Sequence, residues 1–188
     1  SWSWVRVNGL ARRDKQRRPV MLVGVWVNIT RRKTAELRAA EDRDLFHTLI
    51  EHIPDSIYFK NRESRFVLAN TATANKLGVP TPADLTGRTD DYFFDQTMSD
   101  ISRKEEMDIM VTGRPIRARL HHETWLHKDD SWSQISKFPW YGRNGELKGI
   151  VGISSDVTKL VKTEIKATET ARILEERNRT LEKEIDLA

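Results

Sequence analysis

The chain has 188 residues, 38% of them hydrophobic and 32% charged, with a formal net charge of +4. That is room for one packed domain with solvated extensions. The absence of cysteine excludes disulfides, thiolate metal sites and a cysteine nucleophile. No apolar run approaches the roughly 18 residues of a membrane helix and nothing reads as a signal peptide, so a cytoplasmic location without membrane contact is expected.

Residues 1–30 read as two strands around a polar turn. Trp4-Val5-Arg6-Val7 precedes the charged stretch Ala11–Arg18, and Val20–Val27 follows it. β-branched and aromatic residues in such short runs favour strand over helix. A lone hairpin is marginal in water, so these strands call for further sheet partners. The basic residues Arg12, Arg13, Lys15, Arg17 and Arg18 offer a nucleic-acid surface as a rival reading. Their clustering at a turn, with no accompanying nucleic-acid motif, argues instead for a solvated loop.

Thr30 is a candidate N-cap for a linker helix over 31–53, with Phe46, Leu49, Ile50 and Ile53 at helical spacing. Pro54 ends it. Short strands are expected at Ser56–Lys60 and Arg65–Asn70, helical pieces at Thr71–Leu77 and Pro82–Leu85, and a longer helix from Asp95 to Val111. Strands follow at Ile116–His127, Ser131–Trp140 and Leu147–Val157, the last two joined through the turn signal Asn144-Gly145. The order predicts an α+β domain, a five-stranded antiparallel sheet with helices on one face, over 54–158.

From 159 to 188 the pattern is helical. Ala167, Ala171, Leu174, Asn178, Leu181, Ile185 and Ala188 alternate by four and three residues, the a/d spacing of a coiled coil. Ala171, Leu174, Asn178, Leu181 and Ile185 are therefore the candidate seam of a homodimer, with Asn178 setting register. The alternative is a helix packed back on its own domain.

Several stretches together resemble a PAS domain: Ile53-Pro-Asp-Ser-Ile-Tyr-Phe-Lys-Asn61, Arg65-Phe-Val-Leu-Ala-Asn70, Leu77-Gly78, Gly87-Arg-Thr-Asp90, Gly113-Arg-Pro-Ile116, Ser136-Lys-Phe-Pro139 and Gly149-Ile-Val-Gly-Ile-Ser-Ser-Asp-Val-Thr158. Asp156-Val157-Thr158 looks like the Asp-Ile-Thr signature that closes a PAS core and opens its exit helix. Trp4 to Thr30 resembles the last two strands of a preceding PAS domain, with Asn28 in the place of that signature's Asp. The resemblance implies a sensory relay in a larger signalling protein, such as a histidine kinase or diguanylate cyclase. Asp156, Thr158 and Thr30 would be the coupling residues, with an output domain further along the same chain.

Members of such a family hold haem, flavin or a metabolite between the sheet and the long helix. Here the cofactor stays unassigned. An adduct-forming flavin needs a cysteine, and haem-binding relatives commonly place a histidine on the long helix, where Asp95–Val111 has none. His121 and His127 share a strand face but are too far apart for a metal pair. Tyr58, Phe66, Leu68, Phe93, Phe94, Met107, Ile135 and Phe138 would line the interior, either as a filled core or as a pocket. Arg119, His121, Glu123 and Lys137 are the polar candidates beside a ligand, with Glu123 as a partner for Lys137 across the hairpin. The chain has no Gly-rich phosphate loop, His-Glu-x-x-His pattern or nucleophile elbow, so it reads as non-catalytic. Its acidic pairs, Asp90-Asp91, Glu105-Glu106 and Asp129-Asp130, read as solvated turns or faces.

Overall fold

The computed structural model describes residues 2–186, and side chains as far as residue 180. The chain divides into two units, 1–50 and 51–188.

The first unit holds β1 (Val5–Arg13) and β2 (Pro19–Asn28), an antiparallel pair with Val5 opposite Asn28, followed by helix α1 (Thr30–His52). The Asp14 carboxylate organises the turn by accepting from the Gln16 and Arg18 amides and from Arg18 Nε. Every residue of both strands is exposed.

The second unit is built on β3 (Ser56–Asn61), β4 (Phe66–Ala69), β5 (Ile116–Glu123), β6 (Ser131–Tyr141) and β7 (Leu147–Asp156). They form an antiparallel sheet in the order β4-β3-β7-β6-β5. Period-two alternation turns Ser133, Ile135 and Lys137 of β6 inward. A bulge between Ile116 and Arg119, with Ala118 at φ 47°, precedes the inward-facing His121 and Glu123.

Helices α2 (Thr71–Leu77) and α3 (Gln96–Thr112) and two 3-10 turns fill the long connection between β4 and β5. Asn70 caps α2 through the Thr73 amide at 3.0 Å, and Gly78 ends it at φ 73°. Asp95 caps α3 through the Met98 amide, and Gly113 closes it at φ 68°. Tyr58, Phe66, Leu85, Phe93, Phe94, Met98, Ile109 and Ile150 make the hydrophobic core. Gly152 lies opposite Tyr58, and a Cβ there would clash with the hydroxyl end of the Tyr58 ring.

Three expectations change. The buried face of α3 is Met98, Ser99, Ser102, Glu105, Glu106 and Ile109, whereas Ile101 and Met107 are exposed. Met107 therefore lines no interior; the helix turns its carboxylates inward because lysines await them there. Leu68 is also exposed. Phe138, one residue out of phase with Lys137, is only half-buried and carries Arg117 over its ring at 5.2 Å.

Helix α4 (Thr158–Asp186) runs on from β7. Ala171, Leu174 and Asn178 are exposed on it, while the side chains of Leu181 and Ile185 lie outside the described residues.

Candidate functional site

Beneath the sheet, charged side chains occupy a space that sequence patterning assigns to hydrocarbon. Lys60, only 1% exposed, donates from Nζ to Asp90 Oδ2 and Glu106 Oε1, both at 2.7 Å. Its remaining side faces the Phe66 ring at 4.7 Å. Burial pulls the Lys60 pKa down, but Asp90 and Glu106 outweigh it and the net shift is upward. Asp90 moves the other way: burial raises it, yet the charges of Lys60 and Lys137 hold it below the ordinary carboxylate range. Next along α3, Glu105 accepts from His121 Nε2 at 3.0 Å and Arg119 at 2.8 Å, with Lys137 Nζ at 3.1 Å. Burial opposes its ionisation, but His121 and Lys137 prevail and lower its pKa to about 2. Lys137 also donates to Ser102 Oγ at 2.9 Å.

A second cage lies nearer the start of α4. Lys76, on the last turn of α2, donates to Glu123 Oε1 at 2.8 Å and to Ser133 Oγ and Ser154 Oγ, each at 2.7 Å. One ammonium thus ties α2 to β5, β6 and β7. Its place is set by Asn70, whose Oδ1 accepts from the Ile57 amide, the Thr73 amide and the Thr73 hydroxyl, fixing α2 against β3.

Between the two cages lies a cavity of about 40 Å³. Its apolar wall includes Tyr58, Phe66, Phe94 and Met98, and its polar wall includes Lys76, Asp90, Glu123 and Lys137. Burial, reinforced by Glu106 and Asp90, pushes the Tyr58 phenol well above its usual pKa. A wider hollow of about 210 Å³ adjoins the cavity; Ser56, Lys76 and Ser154 line both. Among the described residues, no group of His, Asp and Glu is placed to hold a metal ion, and no helix is long and apolar enough to cross a membrane.

The start of α4 is fastened by three bonds. Thr158 Oγ1 accepts from the Trp132 amide at 2.9 Å, the Val157 amide donates to Trp132 O at 2.9 Å, and Asp156 Oδ1 accepts from the Thr158 amide at 2.8 Å. The hydroxyl expected to cap the helix therefore reaches back to the strand. Burial raises the Asp156 pKa, but the hydrogen bonds from Thr158 and the charges of Lys76 and Lys128 bring it below the usual value. At the start of α1 the same three bonds recur: Trp4 amide to Thr30 Oγ1 at 2.8 Å, Ile29 amide to Trp4 O at 2.9 Å and Thr30 amide to Asn28 Oδ1 at 3.0 Å. Asn28 thus supplies without a charge the bond that Asp156 supplies at the second joint.

Of the polar candidates, Glu123 and Lys137 line the cavity together with Tyr58, Phe66 and Phe94. His121 is buried behind it on Glu105, and Arg119 reaches the same carboxylate from the surface with its side chain 55% exposed. Glu123 is the partner of Lys76, not of Lys137. Asp90, Glu105 and Glu106 are buried rather than solvated. Lys60, Lys76 and these three acids escaped sequence reasoning. Lys60 shares the strand parity of Tyr58, and Ser102, Glu105 and Ile109 continue the helical spacing from Met98, so periodicity applied without regard to polarity finds Lys60 and Glu105.

A family model described as the PAS fold matches residues 50–162. A methanogenesis regulatory histidine kinase, FilI of Methanothrix harundinacea, is 23% identical over 129 residues, 69% of this chain and 14% of its own length. A diguanylate cyclase of Vibrio cholerae is 28% identical over 132 residues, 68% of this chain and 40% of its own. The chain thus spans well under two thirds of either relative. Among solved structures, the Vibrio cholerae VqmA dimer, a LuxR-type receptor, superposes with a TM-score of 0.55 at 22% identity, over 64% of this chain and 52% of that one. At that identity the likeness concerns the fold alone.

Proposed function

The chain belongs to the PAS family, and from that premise we propose that residues 51–188 form a non-catalytic sensor whose cavity takes a small molecule and whose state passes through α4 to an output domain in the same polypeptide. The observation that carries this reading is the shared wall. Ser154, Glu123 and Lys76 line the cavity, while the start of β6 and the end of β7, tied together there, meet α4 at the Trp132–Thr158 joint. A change in the cavity has a path of few bonds to the helix. The kinase and cyclase relatives supply the class of output. The hairpin of the first unit, with its matching joint, is proposed as the closing strands of another such domain. A homodimer along the α4 seam completes the model, in keeping with the dimeric VqmA neighbour.

A ligand-free dimerisation spacer is the second reading, favoured by the ion pairs that already hold the buried charges and by how small the cavity is. Native mass spectrometry of freshly purified protein, against its denatured mass, separates the two. A dimer with an added small mass per chain supports the sensor. A dimer without added mass, together with no stabilisation by any compound of a metabolite screen, overturns it in favour of the spacer. A monomer at micromolar concentration removes the seam.

A further inference from the structure

The cavity cannot accept a metabolite while Lys76 stays where it is. A volume of about 40 Å³ holds roughly three waters at about 10–15 Å³ each. The open hollow of about 210 Å³ lies on the other side of Ser56, Lys76 and Ser154, and of these only lysine has a long side chain able to swing. Lys76 is therefore the gate.

Opening it has an electrostatic consequence. Glu123 is 2% exposed and accepts from the Ser131 and Ser133 hydroxyls, each at 2.9 Å; withdrawing Lys76 leaves those two hydrogen bonds in place but takes away the cation that Glu123, Ser133 Oγ and Ser154 Oγ share. An unpaired buried charge is strongly destabilising. An anionic occupant would add a second such charge, and a neutral one would leave the first uncompensated. An occupant bearing its own ammonium group restores the pairing. Its carbon body would lie against Phe66, Phe94 and Met98, which line the same cavity. The outer hollow that would receive the displaced lysine is lined by two acids, Asp129 and Asp156, and by one further cation, Lys128. Asp156 is the residue that holds the Thr158 amide at the start of α4.

We propose that this site recognises a small molecule carrying a primary ammonium group and an apolar body, which replaces the Lys76 ammonium in the Glu123–Ser133–Ser154 cage and sends Lys76 outward to Asp156. The proposal rests on the reading of the cavity as a ligand site. It makes the gate and the transmitter one residue, since the same displacement that admits the ligand brings a cation to the carboxylate capping the exit helix.

The test uses the whole chain and three probes of matched size and different charge: isobutylamine, isobutanol and isobutyrate, each titrated at neutral pH and followed by amide NMR shifts and thermal unfolding. Isobutylamine is expected to shift the amides of Lys76, Ser133, Ser154 and Thr158 and to raise the unfolding temperature, with the other two inert. Glu123→Gln should abolish the amine response. Asp156→Asn should keep binding but reduce the shift at Thr158. Because Lys76→Ala can destabilise the fold, it serves as a rescue variant, restabilised by isobutylamine alone. Rescue without any wild-type response overturns the proposal, because the tethered lysine then simply fills the cage. Binding of isobutanol or isobutyrate in preference overturns the ligand class and leaves the sensor reading standing. No response to any probe overturns the proposal, and the sensor reading falls with it only if the metabolite screen is silent and no mass co-purifies.

Discussion

The Trp132 amide donates to the Thr158 hydroxyl at 2.9 Å, fastening the second residue of β6 to the first residue of α4 across 26 positions of sequence. Trp4 and Thr30 repeat the bond at 2.8 Å across the same 26 positions, and the strands between them keep the same register, Val5 opposite Asn28 and Ser133 opposite Asp156. The chain therefore contains two copies of one strand–strand–helix joint. One differs from the other in carrying Asn where its counterpart carries Asp.

That pairing makes a prediction with an internal control. Thr158→Val keeps the shape but leaves the partly buried Trp132 amide without its acceptor, which should cost about 1–3 kcal/mol and raise hydrogen exchange at the Trp132 amide and the first turn of α4. Asp156→Asn retains an acceptor oxygen, as Asn28 does at 3.0 Å from the Thr30 amide, and should change stability by less than Thr158→Val. Equal effects in urea unfolding would mean that the charge of Asp156 contributes as much to the joint as the Trp132–Thr158 hydrogen bond.

Lys60 gives the largest expected loss. Lys60→Met removes the donor shared by Asp90 and Glu106 and leaves two carboxylates close together in the core, at an expected cost of about 3–5 kcal/mol. Neutralising the acid as well, in Lys60→Met/Glu106→Gln, should recover part of it. Arg172→Ala, which breaks two exposed pairs on α4, should stay within about 0.5 kcal/mol. Chemical denaturation at neutral pH ranks all three.

The architecture was legible in the sequence because it rests on alternation and punctuation. The turn at Asn144-Gly145, the stops at Gly78 and Gly113 and the alternation through Ser133, Ile135 and Lys137 place the strands and helices to within a few residues. The site was legible only in part. Glu105-Glu106 reads as a solvated face because adjacent acids usually are, and only the fold reveals that Lys60, 46 positions before Glu106, and Lys137, 32 positions after Glu105, converge on them. Lys76 carries no local signal at all. Its partners lie 47, 57 and 78 positions away, and a lysine near the C-terminal end of a short helix already has a local explanation in the helix dipole.

Acid should weaken the fold through Glu105. Its folded pKa, about 2, lies below the roughly 4.3 of an unfolded glutamate. The unfolded chain therefore takes up the proton first, and the stabilisation, complete above the unfolded value, is lost as pH falls towards about 2. Urea unfolding from pH 7 down to pH 3 should show this loss begin near pH 5. In Glu105→Gln the decline should be shallower, with the remainder coming from Asp90, Asp95 and Asp156, whose values are also lowered. An unchanged slope would mean that Glu105 contributes nothing to the acid limb.

Gly152 tests whether the cavity wall is as tightly set as its geometry implies. It pairs with Lys137 on one side and Tyr58 on the other, and a methyl group there would overlap the Tyr58 ring. Gly152→Ala must push that ring into the cavity it lines, at an expected cost of about 1–3 kcal/mol and with displaced Tyr58 ring resonances. Gly24 holds the corresponding place in the first hairpin, opposite Gly9 as Gly152 is opposite Lys137. The nearest atom to a Cβ at Gly24 is the Asn8 carbonyl oxygen at 3.4 Å, so Gly24→Ala should be tolerated in the same assay. A Gly152→Ala protein that unfolds like wild type, with Tyr58 unmoved, would show that the sheet yields at this point and that the wall is not tightly set.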